Sequence, residues 1–136
     1  MTPEVRELRR LQALAEAWRL LAPLERPEEV YRTVVETAKR ATRAVSVLLF
    51  LYRPQEDALE LVAAAGLSQD KVGLRLPRGK GVSWVVLEKG EPLYLADVTQ
   101  DSRVIFLSGR PQPGVYLGVP LRNAAGEPFG VLSMDT

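Results

Sequence analysis

The sequence predicts one α+β domain over residues 1–136, with helices first and a β-sheet after them. The length of 136 residues lies in the commonest range for a single domain. The composition, 46% hydrophobic and 26% charged, is that of a globular chain. The hydrophobic pattern changes after residue 44, from the three- and four-residue steps of helices to the apolar runs and alternation of strands.

Two amphipathic helices are expected in the first third of the chain. Over 3–22, apolar residues recur at helical spacing after the start signal Thr2-Pro3. They are Val5, Leu8, Leu11, Leu14, Trp18 and Leu21. This stripe also lies near heptad spacing, so it suits either a core face or a dimer seam, and we expect a homodimer through helix 3–22. A second helix over 27–43 begins with acidic residues and ends with basic ones, as the helix dipole favours.

Strand patterns begin at residue 45. The run 45–52 is apolar on both faces, which is typical of a central strand. A Pro- and Asp-containing turn joins it to a strand over 58–65, so the two predict a hairpin. Four further strands are expected over 73–76, 92–95, 115–122 and 128–135.

The middle of the chain combines a short helix with a long loop. The helix follows the glycines of PRGKG and stops at Lys89-Gly90. The loop 96–114 is rich in turn formers, and loops of this length often bind ligands. We expect one helical turn within it, near 101–106.

The chain contains no cysteine and no histidine. Their absence excludes disulfides, thiolate chemistry, imidazole general bases and the commonest metal ligands. The adjacent carboxylates Glu28-Glu29 and Glu56-Asp57 fit a helix start and a turn better than a catalytic pair. The sequence therefore predicts no catalytic residue, no metal site and no enzyme.

Charge and hydropathy limit the partners and the location. The net charge of +1 argues against a nucleic-acid partner. The run 45–52 is too short for a membrane span, and residues 1–20 do not resemble a signal peptide, so we expect a cytoplasmic protein. Arginine outnumbers lysine, which favours a bacterial source that is thermophilic or rich in GC.

A series of motifs runs from Leu74 to Asp135. LRLPRGKGVSWVVLEKGEPLYLADV precedes the variable loop, and YLGVPLRNAAGEPFGVLSMDT follows it. In this order they resemble the GAF domain, a sensory and regulatory domain of signalling proteins. The resemblance covers nearly the whole chain, although the helix that usually closes the fold is missing after Thr136.

The resemblance implies a PAS-related antiparallel sheet of about six strands. Helices would cover one face, and a loop and a short helix would cover a pocket on the other. Strand alternation directs two sets of side chains to opposite faces. Val115, Leu117, Val119 and Leu121 are expected toward the helices, and Tyr116, Gly118 and Pro120 toward the pocket.

The candidate ligand-binding residues, by family position and strand alternation, are Trp84, Asp97, Val98, Arg103, Phe106, Tyr116 and Gly118. Arg103 suits anionic or carbonyl oxygens, and Asp97 could accept a hydrogen bond from a ligand. Trp84 could instead belong to the core, and Asp97 could cap a turn. Gly118 could mark close approach of a ligand or a bulge. Lys80 could form an anion site or a bare turn.

Several functions known in the family need residues that this chain lacks. Methionine-sulfoxide reduction and covalent bilin attachment use cysteine, and haem would need its proximal histidine. Cyclic-nucleotide binding is disfavoured because Arg122-Asn123 lacks the lysine of the usual asparagine–lysine pair. We therefore expect no cofactor. Two functions remain: a sensor that binds an unidentified small molecule and signals to an output domain, or a ligand-free dimerising relay with a filled pocket.

Overall fold

The structure, a computed structural model, describes residues 2–21 and 27–136, and the side chains of 17–21 lie outside that description. The helices are α1 (Pro3–Leu21), α2 (Pro27–Ala41) and α3 (Val82–Lys89). The strands are β1 (Ser46–Arg53), β2 (Ala58–Gly66), β3 (Arg75–Pro77), β4 (Leu93–Leu95), β5 (Tyr116–Arg122) and β6 (Pro128–Asp135). Element by element, they follow the sequence-based expectation closely.

The six strands form one antiparallel sheet in the order β3-β2-β1-β6-β5-β4. The predicted α+β fold with about six antiparallel strands is confirmed. β1 and β6 are central, and their register pairs Ser46 with Asp135. β5 also pairs its first residue, Tyr116, with Asp135. Three strands therefore bring side chains together at one end of the sheet.

The helices α1 and α2 cover one face of the sheet. Leu11 of α1 is fully buried there, and α2 contributes Val34 and Val35. Leu117 and Val119 of β5 belong to this same core cluster, as the strand alternation predicts. Burial of this apolar surface, about 25 cal/mol per Å², is the main force that holds the two layers together.

The opposite face of the sheet packs against α3 and the loops around it. Leu48, Phe50 and Val131 project from the strands into a second core cluster, which also contains Trp84 of α3. Gly90 ends α3 in the left-handed conformation (φ 64°), and its N–H donates to the carbonyl of Val86. Between this second layer and the sheet lies the cavity described below.

The structure corrects two sequence-based boundaries. The helical turn lies at Val98–Gln100 and not near 101–106, because the Asp97 carboxylate accepts from the backbone N–H of Thr99 and starts the turn there. α2 ends at Ala41 and not at residue 43. The backbone N–H of Arg43 donates to the Glu7 side chain of α1 and not to a carbonyl of α2.

Candidate ligand-binding cavity

A cavity of about 450 Å³ lies between the sheet and the layer that carries α3. Its floor consists of side chains from the three strands that meet at this end of the sheet. They are Ser46, Leu48 and Phe50 of β1, Tyr116 of β5, and Ser133 and Asp135 of β6. Residues two apart along a strand share a face, so the strand register itself places them together. The volume lies within the range of small-molecule sites.

The roof of the cavity comes from irregular structure. Val82 and Ser83 contribute from the start of α3, and Val98 from the short helical turn. The long loop adds a consecutive apolar run, Val104 to Leu107, which lines the cavity. Within this run Val104, Phe106 and Leu107 also pack against the second core cluster. Walls of this kind exclude water and suit an apolar group of a ligand.

Hydroxyl groups from the floor and the roof gather near the end of β6. The Tyr116 phenol and the Ser83 hydroxyl are buried and share a hydrogen bond of 3.0 Å. Burial raises the pKa of the Tyr116 phenol above its ordinary value, so this group stays protonated. The Ser133 hydroxyl lies beside that phenol, is fully buried, and makes no hydrogen bond of normal geometry within the described residues. Ser133 therefore has unused hydrogen-bonding capacity at the cavity.

Asp135 supplies a carboxylate at the same end of the cavity. It stands between Ser46 and Tyr116, its partners across the two neighbouring strands. Burial raises the pKa of Asp135 to about 6, and within 2–21 and 27–136 no hydrogen bond or ion pair compensates the carboxylate. A group in this state is poorly solvated when it is charged and gains from any donor that reaches it.

The mouth of the cavity has an apolar rim. Val45, Leu67 and Ile105 all line it, and they are 47%, 64% and 41% exposed. Asp70 and Lys71 also lie at the rim, 3.8 Å apart as an ion pair. Because these two charges offset each other, Asp135 dominates the charge of the cavity.

Three of the predicted site residues line the cavity: Val98, Phe106 and Tyr116. Phe106 belongs to the roof and Tyr116 to the floor, as expected from their positions in the loop and in β5. Their contact with a ligand stays a prediction.

Trp84 lies outside the cavity lining and belongs to the core. It is 1% exposed, and its indole N–H donates to the carbonyl of Leu76 at 3.0 Å. Tyr52 meets its ring edge-on at 5.9 Å, and the Arg78 guanidinium stacks at 4.7 Å from the ring centroid. Trp84 therefore occupies the core position that the sequence left open as the alternative, and it does not roof the cavity.

Asp97 and Arg103 also lie outside the cavity lining. Asp97 accepts from the Thr99 side chain at 2.6 Å and from its N–H at 2.9 Å, and these bonds lower the pKa of Asp97. Arg103 is exposed and held by Asp101, whose pKa falls to about 2 because the Arg103 side chain and backbone donate to it. Both residues are engaged locally in the loop, so neither roofs the cavity.

The structure explains the glycine at position 118 neither by close approach of a ligand nor by a bulge. A β-carbon at Gly118 would collide with the Tyr116 phenol, which lies over it. The glycine thus makes room for a neighbouring side chain of its own strand, and the register shift of β5 falls elsewhere, between Leu121 and Arg122. Lys80 lies exposed in a turn that its N–H closes on the carbonyl of Pro77. Among the described residues, no group of three acidic, His or Cys side chains could hold a metal.

Apart from Tyr116, sequence reasoning missed the polar residues of the cavity, of which Ser46, Ser83, Ser133 and Asp135 lie around the end of β6. A signal for two of them was available. Alternation along 128–135 places Ser133 and Asp135 on one face, and a serine and an aspartate on the covered face of a central strand are unusual. The sequence alone does not reveal which face carries the cavity.

Solved structures share this fold over nearly the whole chain. The GAF domain of a phosphoenolpyruvate-protein phosphotransferase from Coxiella burnetii is 25% identical with a TM-score of 0.74, over 97% of this chain and 78% of that one. The nlh2 GAF domain of A. aeolicus in an inactive state is 16% identical with a TM-score of 0.72, over 99% and 82%. No curated protein sequence matches the chain.

Enzymes also occur among the structures with this fold. The prediction that the chain is no enzyme, which was drawn from composition and family resemblance, is therefore wrong. The free methionine-R-sulfoxide reductase of Neisseria meningitidis, solved with its substrate, is 22% identical with a TM-score of 0.70 over 93% of this chain and 70% of that one. The lack of Cys and His removes thiol and imidazole chemistry from this chain, but the fold itself is compatible with catalysis.

The six-stranded antiparallel sheet and its helices match the fold of the solved GAF domains. No helix among the described residues is both long and apolar enough to cross a membrane. The family description "GAF domain" matches residues 25–136, which is most of the chain. This chain belongs to the GAF domain family.

Proposed function

We propose that this domain is a sensory and regulatory module of a cytoplasmic signalling protein, and that it binds a small molecule in the cavity above β1, β5 and β6. The observation that carries the proposal is the cavity of about 450 Å³, lined by apolar walls and a few polar groups. This combination is the usual form of a small-molecule site. Membership of the GAF family supports the regulatory role.

The alternative, a ligand-free relay, expects the cavity to be filled by aromatic rings. Trp84 is instead held against Leu76, Tyr52 and Arg78. Tyr116 lies down over Gly118. The space between Tyr116 and the loop stays open, which favours the sensor.

A short route connects the cavity to the helical face. Val45 lines the cavity mouth, and its N–H donates to the carbonyl of Asp135 at 2.8 Å. Immediately before it, the end of α2 bonds to α1 twice: Arg10 donates to the carbonyl of Ala41, and the Arg43 N–H donates to Glu7. A ligand that moves the start of β1 would therefore bias the contact between the two helices, and the relay to an output domain would begin there.

The proposed relay also includes the homodimer expected through helix 3–22. Leu11 and Ala15 are buried against the chain's own sheet, which uses that part of the stripe for the core. The side chains of Trp18 and Leu21 lie outside the described residues, so the seam stays a prediction. Light scattering at micromolar concentration tests it: a strictly monomeric mass would remove the dimer from the proposal.

A melting-temperature screen with a metabolite panel tests ligand binding. A ligand present at about 100 times its dissociation constant should stabilise the fold by about 2.7 kcal/mol, a shift of several degrees. Val104→Trp should abolish the shift, because Val104 lines the roof from an irregular loop that can accept a larger side chain.

Val5→Trp is the matched control, since Val5 is exposed on α1, away from the cavity. It should keep the ligand-dependent shift. If no compound shifts the wild type, or if both tryptophan variants respond like the wild type, the proposal of a ligand in this cavity fails.

A further inference from the structure

The most informative feature of the cavity is its unequal charge. Among the side chains of the described lining, only those of Asp70, Lys71 and Asp135 carry formal charge, and Asp70 pairs with Lys71 at the rim. Asp135 lies on the sheet, and among the residues that the structure describes no cation or hydrogen-bond donor compensates its carboxylate. Leaving a carboxylate in an apolar environment without a partner is costly, whereas a charge-assisted hydrogen bond offsets much of that cost.

A second unsatisfied group lies beside Asp135 on the same strand. The Ser133 hydroxyl is fully buried and lacks a hydrogen-bond partner of normal geometry within 2–21 and 27–136. It lies two residues from Asp135, so both side chains face the cavity. Buried polar groups are satisfied in the great majority of cases, and a ligand group that reaches both residues would satisfy them together.

The other hydroxyls near Asp135 are already engaged. Ser46 donates to the carbonyl of Leu67 at 3.1 Å, and Tyr116 is bonded to Ser83. Because these hydroxyls already have partners, Ser133 and Asp135 are the groups at this end of the cavity that still lack one within the described residues. Apolar rings face the open space from two sides, with Phe50 on the floor and Phe106 in the roof.

We propose that the cavity binds a molecule with a cationic N–H donor head, such as a primary ammonium group, against Asp135 and Ser133, and an apolar body against Phe50 and Phe106. This inference rests on the proposed function, because it specifies the ligand of that same cavity. It reverses the anionic preference expected from Arg103, which points outside the cavity lining and is paired with Asp101.

The test uses three probes with one aromatic body and different heads: 2-phenylethylamine, 2-phenylethanol and phenylacetate. Amide NMR titration at pH 7 measures weak dissociation constants directly. The amine should bind at least about tenfold more tightly than the alcohol, as one charge-assisted hydrogen bond allows. Phenylacetate should bind more weakly than either, because it places like charge beside Asp135.

Asp135→Asn should bring the amine to the affinity of the alcohol, since it keeps the shape and removes the charge. Ser133→Ala should reduce the ratio of amine affinity to alcohol affinity. It provides the test if Asp135→Asn does not fold. Glu91→Gln is the matched control for charge: Glu91 is exposed and does not line the cavity, so the amine's advantage should persist.

Equal affinity of the wild type for all three probes would overturn the proposal of a cationic ligand, although the cavity would remain a binding site. Failure of the amine to perturb the amides of Ser133 and Asp135 also overturns it. The proposed function is judged separately, by whether any compound of the metabolite panel gives a shift that Val104→Trp removes.

Discussion

The phenol of Tyr116 lies directly over Gly118, two residues further along β5. This position lets the phenol reach Ser83 of α3 at 3.0 Å and joins the sheet to the covering layer. Strand glycines often mark ligands or bulges, but here the glycine accommodates a side chain of the same strand. The floor of the cavity depends on this pair, because Tyr116 forms one of its edges.

Gly118→Ala should therefore destabilise the fold by about 1–3 kcal/mol, as overpacking usually does, by displacing the phenol from Ser83. Denaturant unfolding measures the loss. In a Tyr116→Ala background the same substitution should cost much less, because the displaced group is gone. Equal costs in the two backgrounds would contradict the account of Gly118.

Trp84→Phe should lower stability without changing ligand binding. The substitution leaves the buried carbonyl of Leu76 without its 3.0 Å donor and weakens the stacking of Arg78. We expect a loss of about 1–3 kcal/mol in the free energy of unfolding. The dissociation constant of any cavity ligand should stay within about twofold of wild type, and a larger loss of affinity would return Trp84 to the site.

The long loop offers a second comparison. Phe106 lines the cavity, whereas Arg103 is exposed and bound to Asp101. Phe106→Ala should weaken a cavity ligand by about tenfold or more through loss of apolar contact. Arg103→Ala, the control in the same loop, should leave affinity unchanged. The reverse result would restore Arg103 as the orienting residue.

Asp135 should give the stability a distinctive dependence on pH. Its folded pKa of about 6 lies above its ordinary value of 3.8, so the folded state holds the proton more tightly than the unfolded chain. The associated stability is complete below about pH 4 and is lost as pH rises through about 6. The shift from 3.8 to about 6 corresponds to a loss of about 3 kcal/mol in the free energy of unfolding.

The difference between wild type and Asp135→Asn isolates this effect. Asp57, Asp97 and Asp101 have lowered pKa values, so their contributions are lost only as pH falls, and they are common to both proteins. Around Asp135, the other titratable groups on the cavity are Tyr116, Asp70 and Lys71, and these too are common to both proteins. Unfolding by urea from pH 4 to 7 should show wild type losing stability relative to the variant. Parallel curves would contradict the raised pKa.

The fold could be predicted well from the sequence because periodicity reports burial directly. The alternation along β5 placed Leu117 toward the helices and Tyr116 toward the cavity, and the structure agrees with both. The site was harder to predict, because lining a cavity depends on which neighbour a side chain meets. Asp97 and Arg103 have chemistry suited to a ligand, yet local hydrogen bonds to Thr99 and Asp101 engage them.

Asp135 shows the converse. Alternation along the last strand shows that Asp135 shares a face with Ser133, but its place beside Ser46 and Tyr116 appears only in the sheet register. The register between β1 and the hairpin of β5 and β6, which are far apart in sequence, requires the folded sheet.

Mapping where a compound of the panel binds tests most sharply whether the cavity is the ligand site. Amide NMR shifts on the ¹⁵N-labelled protein identify the residues that respond. Binding in the cavity should give the largest changes at Ser46, Phe106, Ser133 and Asp135, with smaller ones toward the end of α2 near Ala41 and Arg43. Shifts confined to the exposed surfaces of α1 and α2, with the cavity residues unchanged, would contradict it.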